Sequence, residues 1–377
     1  MHRCFGKHWL DSCKVHSERP TWPALDDKTV VDVTRQDGVI FGIAVRPARE
    51  LYTGGSNVNT VVNASGTVRR VGAVQLEAVL GDVDANVALA EQAVAEAVRQ
   101  GAEVVALPEF FTSGVAFLPE VAAAAQPMDG PAVRALCDWA RRHDVLISGS
   151  LLVRDADGHV RNAVLAVDPT GVRARHDKDL PTMWENALYV GGAPDDDGLA
   201  EIDGTAIGLA VCWELTRSAT VHRLAGRVDL VLAGSGWWSV PRWRPRRLFD
   251  TWQQANAARA RQTPGRFAAH VGAPVVHAAH SGPVDCPMPG FPGLRYRGHF
   301  EPATGIWDAA GAPVAVARGS AAQVVVADLP LLRTPPQPPP EAFWLSPPGP
   351  LPLFAWHQQR WHGRRWYTRH QVQGGER

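Results

Sequence analysis

Lysine is close to absent. The 38 basic residues are 34 Arg and only four Lys, at Lys7, Lys14, Lys28 and Lys178, so a single lysine remains past residue 28. An arginine-biased genome explains the scarcity but not the exception. Lysine differs from arginine in having a compact ammonium with a tunable pKa, which makes Lys178 a candidate for work that Arg cannot do. Cysteine is sparse too, five in 377 residues. That excludes a disulfide-built scaffold and sets the expectation of a reducing, cytoplasmic setting. Net charge is missing, with 38 acidic residues against 38 basic ones. Binding to nucleic acid or membrane through bulk charge is therefore not expected. No apolar run reaches the length of a bilayer-spanning helix, and the first twenty residues lack the apolar core of a secretory signal. No Met falls between Met1 and Met128, and the true start is expected downstream of Met1 at a Val codon. The apolar fraction of 45% is that of a globular chain with a sizeable core.

Residues 1–68 show no sustained period and read as an N-terminal extension, poorly structured or part of a mis-assigned start. His2, Cys4, His8, Cys13 and His16 fit no regular zinc spacing, and no metal site is expected there. From residue 69 short apolar runs alternate with helical patterns, the signature of an α/β domain over 69–330. Strands are expected near Val71–Leu76, Val104–Leu107, Val145–Leu152, Ala163–Val167, Ala206–Val211, Val228–Ala233, Ala273–His277 and Gln323–Ala327. Helices are expected through Val87–Val98 with Gly101 just past the end, after Pro131, over Thr216–Leu224 and around Leu248–Ala255. Ten prolines between Pro330 and Pro352 mark 331–377 as an extended Pro-rich linker followed by a Trp/Arg-rich tail. That tail is expected to pack on the domain or on a partner subunit rather than stack on nucleic acid, because Trp favours burial.

Three strand ends carry unusual polar residues. Glu109 follows an apolar strand and precedes Phe110 and Phe111; neighbours that exclude water raise a carboxyl pKa toward the range of a general base. Alone it reads rather as an ordinary strand-end Glu. Lys178 lies in His176–Glu185, where it could stabilise an oxyanion with Glu185 orienting the ammonium. The flanking Asp177 and Asp179 also permit a plain solvated charge run. Cys212 follows the strand Ile207–Val211 and precedes a predicted helix, whose dipole is expected to lower the thiol pKa. Its alternative is a buried, inert cysteine. Cys137, inside an amphipathic pattern, and Cys286, in a Pro/Gly-rich loop, lack that setting.

Together and in this order the three motifs resemble the nitrilase superfamily of carbon–nitrogen hydrolases over roughly residues 70–330. Leu107-Pro108-Glu109-Phe110 with Gly114 resembles the base motif, and Asn162 the Asn before the central strand. Lys178 to Glu185 with Tyr189, Gly191 and Gly192 resembles the lysine motif. Val211-Cys212-Trp213-Glu214 resembles the nucleophile motif, and Gly298–Phe300 and Asp308–Gly311 resemble closing strands. The resemblance implies a four-layer α-β-β-α sandwich. It also implies an amidase or nitrilase mechanism: Glu109 as base, Cys212 as nucleophile, Lys178 and the Trp213 N–H as oxyanion donors, and Glu185 as orienting group. No cofactor is implied. A small linear amide or carbamoyl substrate is expected, with a nitrile on the same residues as the alternative. Cys212-Trp213-Glu214 and Pro181-Thr182 lean toward nitrile cleavage, while Leu215, where that branch has Asn or His, leans away. A non-catalytic scaffold that kept the fold is the third reading. Trp184, Trp213, Trp237 and Trp238 are candidates to line the substrate pocket, and a homo-oligomer, dimer or larger, is expected.

Overall fold

The computed structural model describes residues 29–36, 39–47, 67–243, 245–291 and 293–372. The chain divides into two compact units, Met1–Asn63 and Ala64–Arg377. In the first, strands β1 (Thr29–Gln36) and β2 (Val39–Pro47) pair antiparallel. The His/Cys group at 2–16 lies outside the described residues.

The second unit runs β3 (Val68–Glu77), α1 (Val83–Arg99), β4 (Val104–Ala106), α2 (Pro119–Ala123), α3 (Pro131–His143), β5 (Leu146–Arg154), β6 (Val160–Asp168) and β7 (Gly171–Asp177). It continues with β8 (Leu199–Ile202), β9 (Thr205–Val211), α4 (Ser218–Leu224), β10 (Leu230–Ser235), α5 (Arg246–Val271) and β11 (Val275–Ser281). Last come β12 (Pro283–Pro287), β13 (Arg295–His299), β14 (Gly305–Trp307), β15 (Pro313–Val316), β16 (Gln323–Pro330) and α6 (Pro350–Tyr367). One sheet orders its strands β7-β6-β5-β4-β3-β11-β10-β9-β8, with β14 and β16 attached to β11 and β3. Its two halves are joined strand to strand where β3 and β11 pair over Gln75–Glu77 and Ala279–Ser281.

Strand alternation explains the layers. Side chains of successive strand residues point to opposite faces. Val71 and Ala73, Val104 and Ala106, Leu209 and Val211, and Leu230 and Leu232 all enter one core shared by the two halves of the sheet. Their neighbours face outward. Val74, Val105 and Ile147 pack under Leu136 and Trp139 of α3 and Val94 of α1. Ala210, Val231 and Val275 pack under Val221 of α4 and Phe267 of α5. Helix, half-sheet, half-sheet, helix is the α-β-β-α sandwich.

The helix ends follow local chemistry. Asp82 caps α1 by accepting the Ala85 N–H at 3.0 Å, and Gly101 takes the left-handed conformation past its end. One expectation needs correction. Asp308–Gly311 is not a strand but the turn joining β14 and β15, because the Asp308 carboxylate accepts the N–H groups of Ala310 and Ala312. The longer helix marked by Leu248, Trp252 and Ala255 is α5, Arg246–Val271, with Pro264 inside it.

The C-terminal segment lies against the domain. Residues 331–349 hold no regular element, and α6 then packs on a 3-10 turn at Met183–Ala187. Its buried face is Trp356, Gln359, Gly363 and Tyr367, spaced at the helical period. Gly363 permits the approach: a Cβ there would meet the Ala187 nitrogen at 2.9 Å.

Candidate active site

Glu109 lies three residues past β4, Lys178 directly after β7, Glu185 in the 3-10 turn Met183–Ala187, and Cys212 directly after β9. β4, β5 and β7 run the same way, so Glu109 and Lys178 leave the same end of their half-sheet. This is where the four groups meet, outside the carboxyl ends of the strands.

Lys178 is the hub. Its Nζ donates to Glu109 Oε1 at 2.8 Å and to Glu185 Oε2 at 2.7 Å, with all three side chains buried. Burial disfavours the ammonium, but the charges of Glu109 and Glu185 outweigh it and hold the Lys178 pKa well above the ordinary lysine value. Glu109 is fixed from every side. Asn162 Nδ2 donates to Oε1 at 2.9 Å and the Gly236 N–H to Oε2 at 3.1 Å. His280 Nε2 lies 2.7 Å from the Glu109 carbonyl, which it supports. Glu185 Oε2 also accepts the Thr182 N–H at 3.0 Å and the Tyr189 hydroxyl at 2.5 Å. Burial still raises the Glu185 pKa, against the pull of Lys178.

Cys212 is buried and takes a left-handed backbone conformation, φ +53°, which costs a non-glycine residue free energy. Phe110, following Glu109, and Met183, before Glu185, share that strain at φ +49° and +47°. The expected lowering of the thiol pKa by a helix N-terminus does not hold. Cys212 opens a 3-10 turn, α4 starts only at Ser218, and burial followed by the charge of Glu109 raises the thiol well above its ordinary value. The resting sulfur is protonated and depends on a base.

Behind the turn, Glu214 ties the nucleophile segment to the lysine segment. It accepts the Val211 N–H at 2.7 Å and the Asp179 N–H at 3.0 Å, and meets His176 Nε2 at 3.0 Å. In the sequence Glu214 stands only within the nucleophile motif, and His176 and His280 carry no assigned role. A buried His at a strand end carries no signal of its partner until the strands are paired. The Gly236 N–H, just past β10, also supports Glu109.

Above Cys212 opens a cavity of about 650 Å³ whose walls include Glu185 and the four expected tryptophans, Trp184, Trp213, Trp237 and Trp238. Trp184 and Trp238 rings lie 4.7 Å apart, and Trp238 stacks on Tyr296 at 4.2 Å. Trp213 lies between Trp237, at 5.8 Å, and Trp356 of α6, at 5.5 Å. The part of the tail in this wall has no counterpart in the motifs read from the sequence. Among the described residues no helix is long and apolar enough to cross a membrane.

The aliphatic nitrilase of Rhodococcus rhodochrous is 30% identical over 170 residues, 41% of this chain and 46% of its own length. The 2-oxoglutaramate amidase of Bacillus subtilis is 26% identical over 196 residues, 50% of this chain and 71% of its own. The chain spans about half the length of most of the curated relatives it matches. Among solved structures, an amidase from Nesterenkonia sp. AN1 superposes with a TM-score of 0.54 at 21% identity, covering 70% of this chain and 93% of that one. A carbon-nitrogen hydrolase from Helicobacter pylori gives a TM-score of 0.58 at 16% identity, covering 70% and 89%. The family model for carbon-nitrogen hydrolase matches residues 70–334, and with the sandwich and this strand-end cluster the chain belongs to the carbon–nitrogen hydrolase family.

Proposed function

We propose that this protein hydrolyses a non-peptide carbon–nitrogen bond, in an amide or carbamoyl compound, through a thioester on Cys212. The observation that carries the reading is the buried Lys178 ammonium held between Glu109 and Glu185 beside a protonated thiol, with Cys212 and Glu185 lining a cavity.

Glu109 takes the Cys212 proton as sulfur attacks the carbonyl carbon. An ammonium has three N–H donors; Glu109 and Glu185 engage two of them among the described residues. The third serves the developing oxyanion together with the Trp213 N–H, a role worth several kcal/mol in comparable sites. As the tetrahedral centre collapses, the protonated Glu109 gives its proton to the departing ammonia or amine, and the thioester remains. A water then loses its proton to Glu109 and attacks the thioester. Glu109 returns the proton to sulfur as the acid leaves, and the enzyme is restored. Glu185 fixes the ammonium throughout.

A nitrile substrate is the second reading, and the match to an aliphatic nitrilase favours it. The same thiolate adds to the nitrile carbon, and the same ammonium meets the developing charge on nitrogen. Ammonia release from paired amide, carbamoyl and nitrile substrates separates the two. Turnover of the amide or carbamoyl compound alone supports the first, and acid formed from the nitrile supports the second. Silence across a broad panel would remove both and leave the non-catalytic scaffold. We also expect copies of the chain to assemble as a dimer or larger, which its mass in solution tests.

A further inference from the structure

We propose that the C-terminal segment 343–359 is a specificity wall, selecting substrates whose acyl carbon bears a large, neutral, aromatic group; this rests on the hydrolase reading above. The family match stops at residue 334, yet one side of the cavity is built from residues beyond it, among them Ser346, Pro348, Phe354, Gln358 and Gln359.

The wall is fastened to the nucleophile segment. The Leu345 N–H donates to the Thr216 carbonyl at 2.9 Å and the Ser218 N–H to the Phe343 carbonyl at 3.2 Å, just past Cys212. Trp344 and Trp356 lie 5.3 and 5.5 Å from the Trp213 ring. The Arg259 guanidinium of α5 donates to the Pro347 carbonyl at 3.0 Å. A cavity of about 650 Å³ is far larger than an acetamide-sized substrate requires, and falls in the range of sites for drug-sized ligands. Its lining is rich in aromatic residues, including Trp237, Trp238, Trp243, Trp252 and Phe354, with Arg259 and Glu185 as its charged members. Such walls favour a flat apolar group that stacks. Gln359 adds a polar detail. It lines the cavity while 6% exposed, and its Oε1 has no hydrogen-bond partner among the described residues. A buried acceptor without a donor is costly, so a substrate donor that reaches Gln359 would be favoured.

The test uses the full chain. Ammonia release is measured for acetamide, phenylacetamide, 3-phenylpropionamide and its para-hydroxy derivative, and for the matching nitriles. In parallel, the Cys212→Ala protein is titrated with the same amides by tryptophan fluorescence. The expected result is a kcat/KM for the aryl substrates at least tenfold above that for acetamide. Phe354 is 66% exposed and does not hold the fold. Phe354→Ala is expected to lower the aryl-to-acetamide ratio about fivefold or more through KM, at an unchanged melting temperature. Gln359→Leu is expected to erase any advantage of the para-hydroxy substrate. Ammonia release without preference for the aryl group, or a ratio untouched by Phe354→Ala, overturns the wall. No ammonia from any substrate, with tight aryl binding that Phe354→Ala weakens, overturns the hydrolase reading and keeps the wall. Neither turnover nor aryl binding overturns both.

Discussion

His176 Nε2 sits 3.0 Å from Glu214 Oε1, and the pair joins the strand that delivers Lys178 to the turn that carries Cys212. Burial disfavours the imidazolium, but Glu214, and Asp196 at 2.9 Å from Nδ1, outweigh it and hold His176 at about 9. The same attraction keeps Glu214 well below the usual carboxylate range, against burial. A raised histidine stabilises the fold fully below its unfolded pKa, near 6.5, and loses that contribution as pH rises through about 9. The whole effect is at most about 3 kcal/mol for a shift of this size, and the pair is counted once. We expect the melting temperature to fall between pH 6.5 and 9.5, and the fall to be much shallower in His176→Gln. Equal slopes in the two proteins would contradict the pairing. His277 and His280, pushed down to about 4 by burial, act in the separate window below pH 6.5.

Lys178 tests whether charge or shape matters at the hub. Lys178→Met removes the cation between two buried carboxylates, and breaking a buried pair in this way costs about 3–5 kcal/mol. It is expected to melt well below the native protein and to be inactive. Lys178→Arg keeps the charge, but a planar fork cannot take the place of one tetrahedral ammonium donating to Glu109, Glu185 and a substrate oxygen. We expect it to fold with a smaller loss of stability and to lose turnover by about a thousandfold or more. Full activity in the Arg variant would remove the proposed role.

The three residues of the strand-end cluster were legible because each breaks a pattern. Glu109 and Cys212 interrupt apolar strands at their ends, and Lys178 is the sole lysine in an arginine-written domain. The parallel strands were legible as short apolar runs for the same reason: both of their faces are covered, by the inter-sheet core on one side and helices on the other. The tail was harder to read. Proline content points to extended chain, and the Trp residues at 356, 361 and 366 recur every five positions, which matches no single helix face. The true buried stripe is Trp356, Gln359, Gly363 and Tyr367, where a glutamine and a glycine hide the period. His280 and Gly236 act through one imidazole nitrogen and one backbone N–H, contacts that exist only after β10 and β11 are laid beside Glu109.

Gly234 probes the support beneath Glu109. A Cβ at this position would lie 2.8 Å from the Glu109 nitrogen and the Leu107 carbonyl oxygen, both backbone atoms that cannot swing aside. Gly234→Ala must displace the segment that aims Glu109, or distort β10. Overpacking of this kind costs about 1–3 kcal/mol. A displacement of about an ångström in a catalytic group can cost a hundredfold in rate. We expect reduced stability together with a kcat loss larger than the KM change, read from denaturant melts and steady-state ammonia release. Native kcat would mean that Glu109 tolerates movement.

Cys212 combines a strained backbone with a protonated, buried sulfur, and the two properties separate by substitution. Ala at φ +53° keeps the strain, whereas Gly relieves it. Gly also adds freedom to the unfolded chain, which offsets part of the gain. We expect both variants to be inactive, with Cys212→Gly melting no lower than Cys212→Ala. The sulfur itself is tested by alkylation. Because burial and Glu109 raise the thiol pKa, an inert cysteine would react with acrylamide only at strongly alkaline pH. If Glu109 withdraws the proton as the carbon–sulfur bond forms, mass spectrometry should find Cys212 alkylated near neutrality, ahead of Cys137 and Cys286. Glu109→Gln should slow that labelling while leaving Cys137 as before. Labelling of Cys212 that lags behind Cys137 and ignores the Glu109 substitution would favour the non-catalytic scaffold.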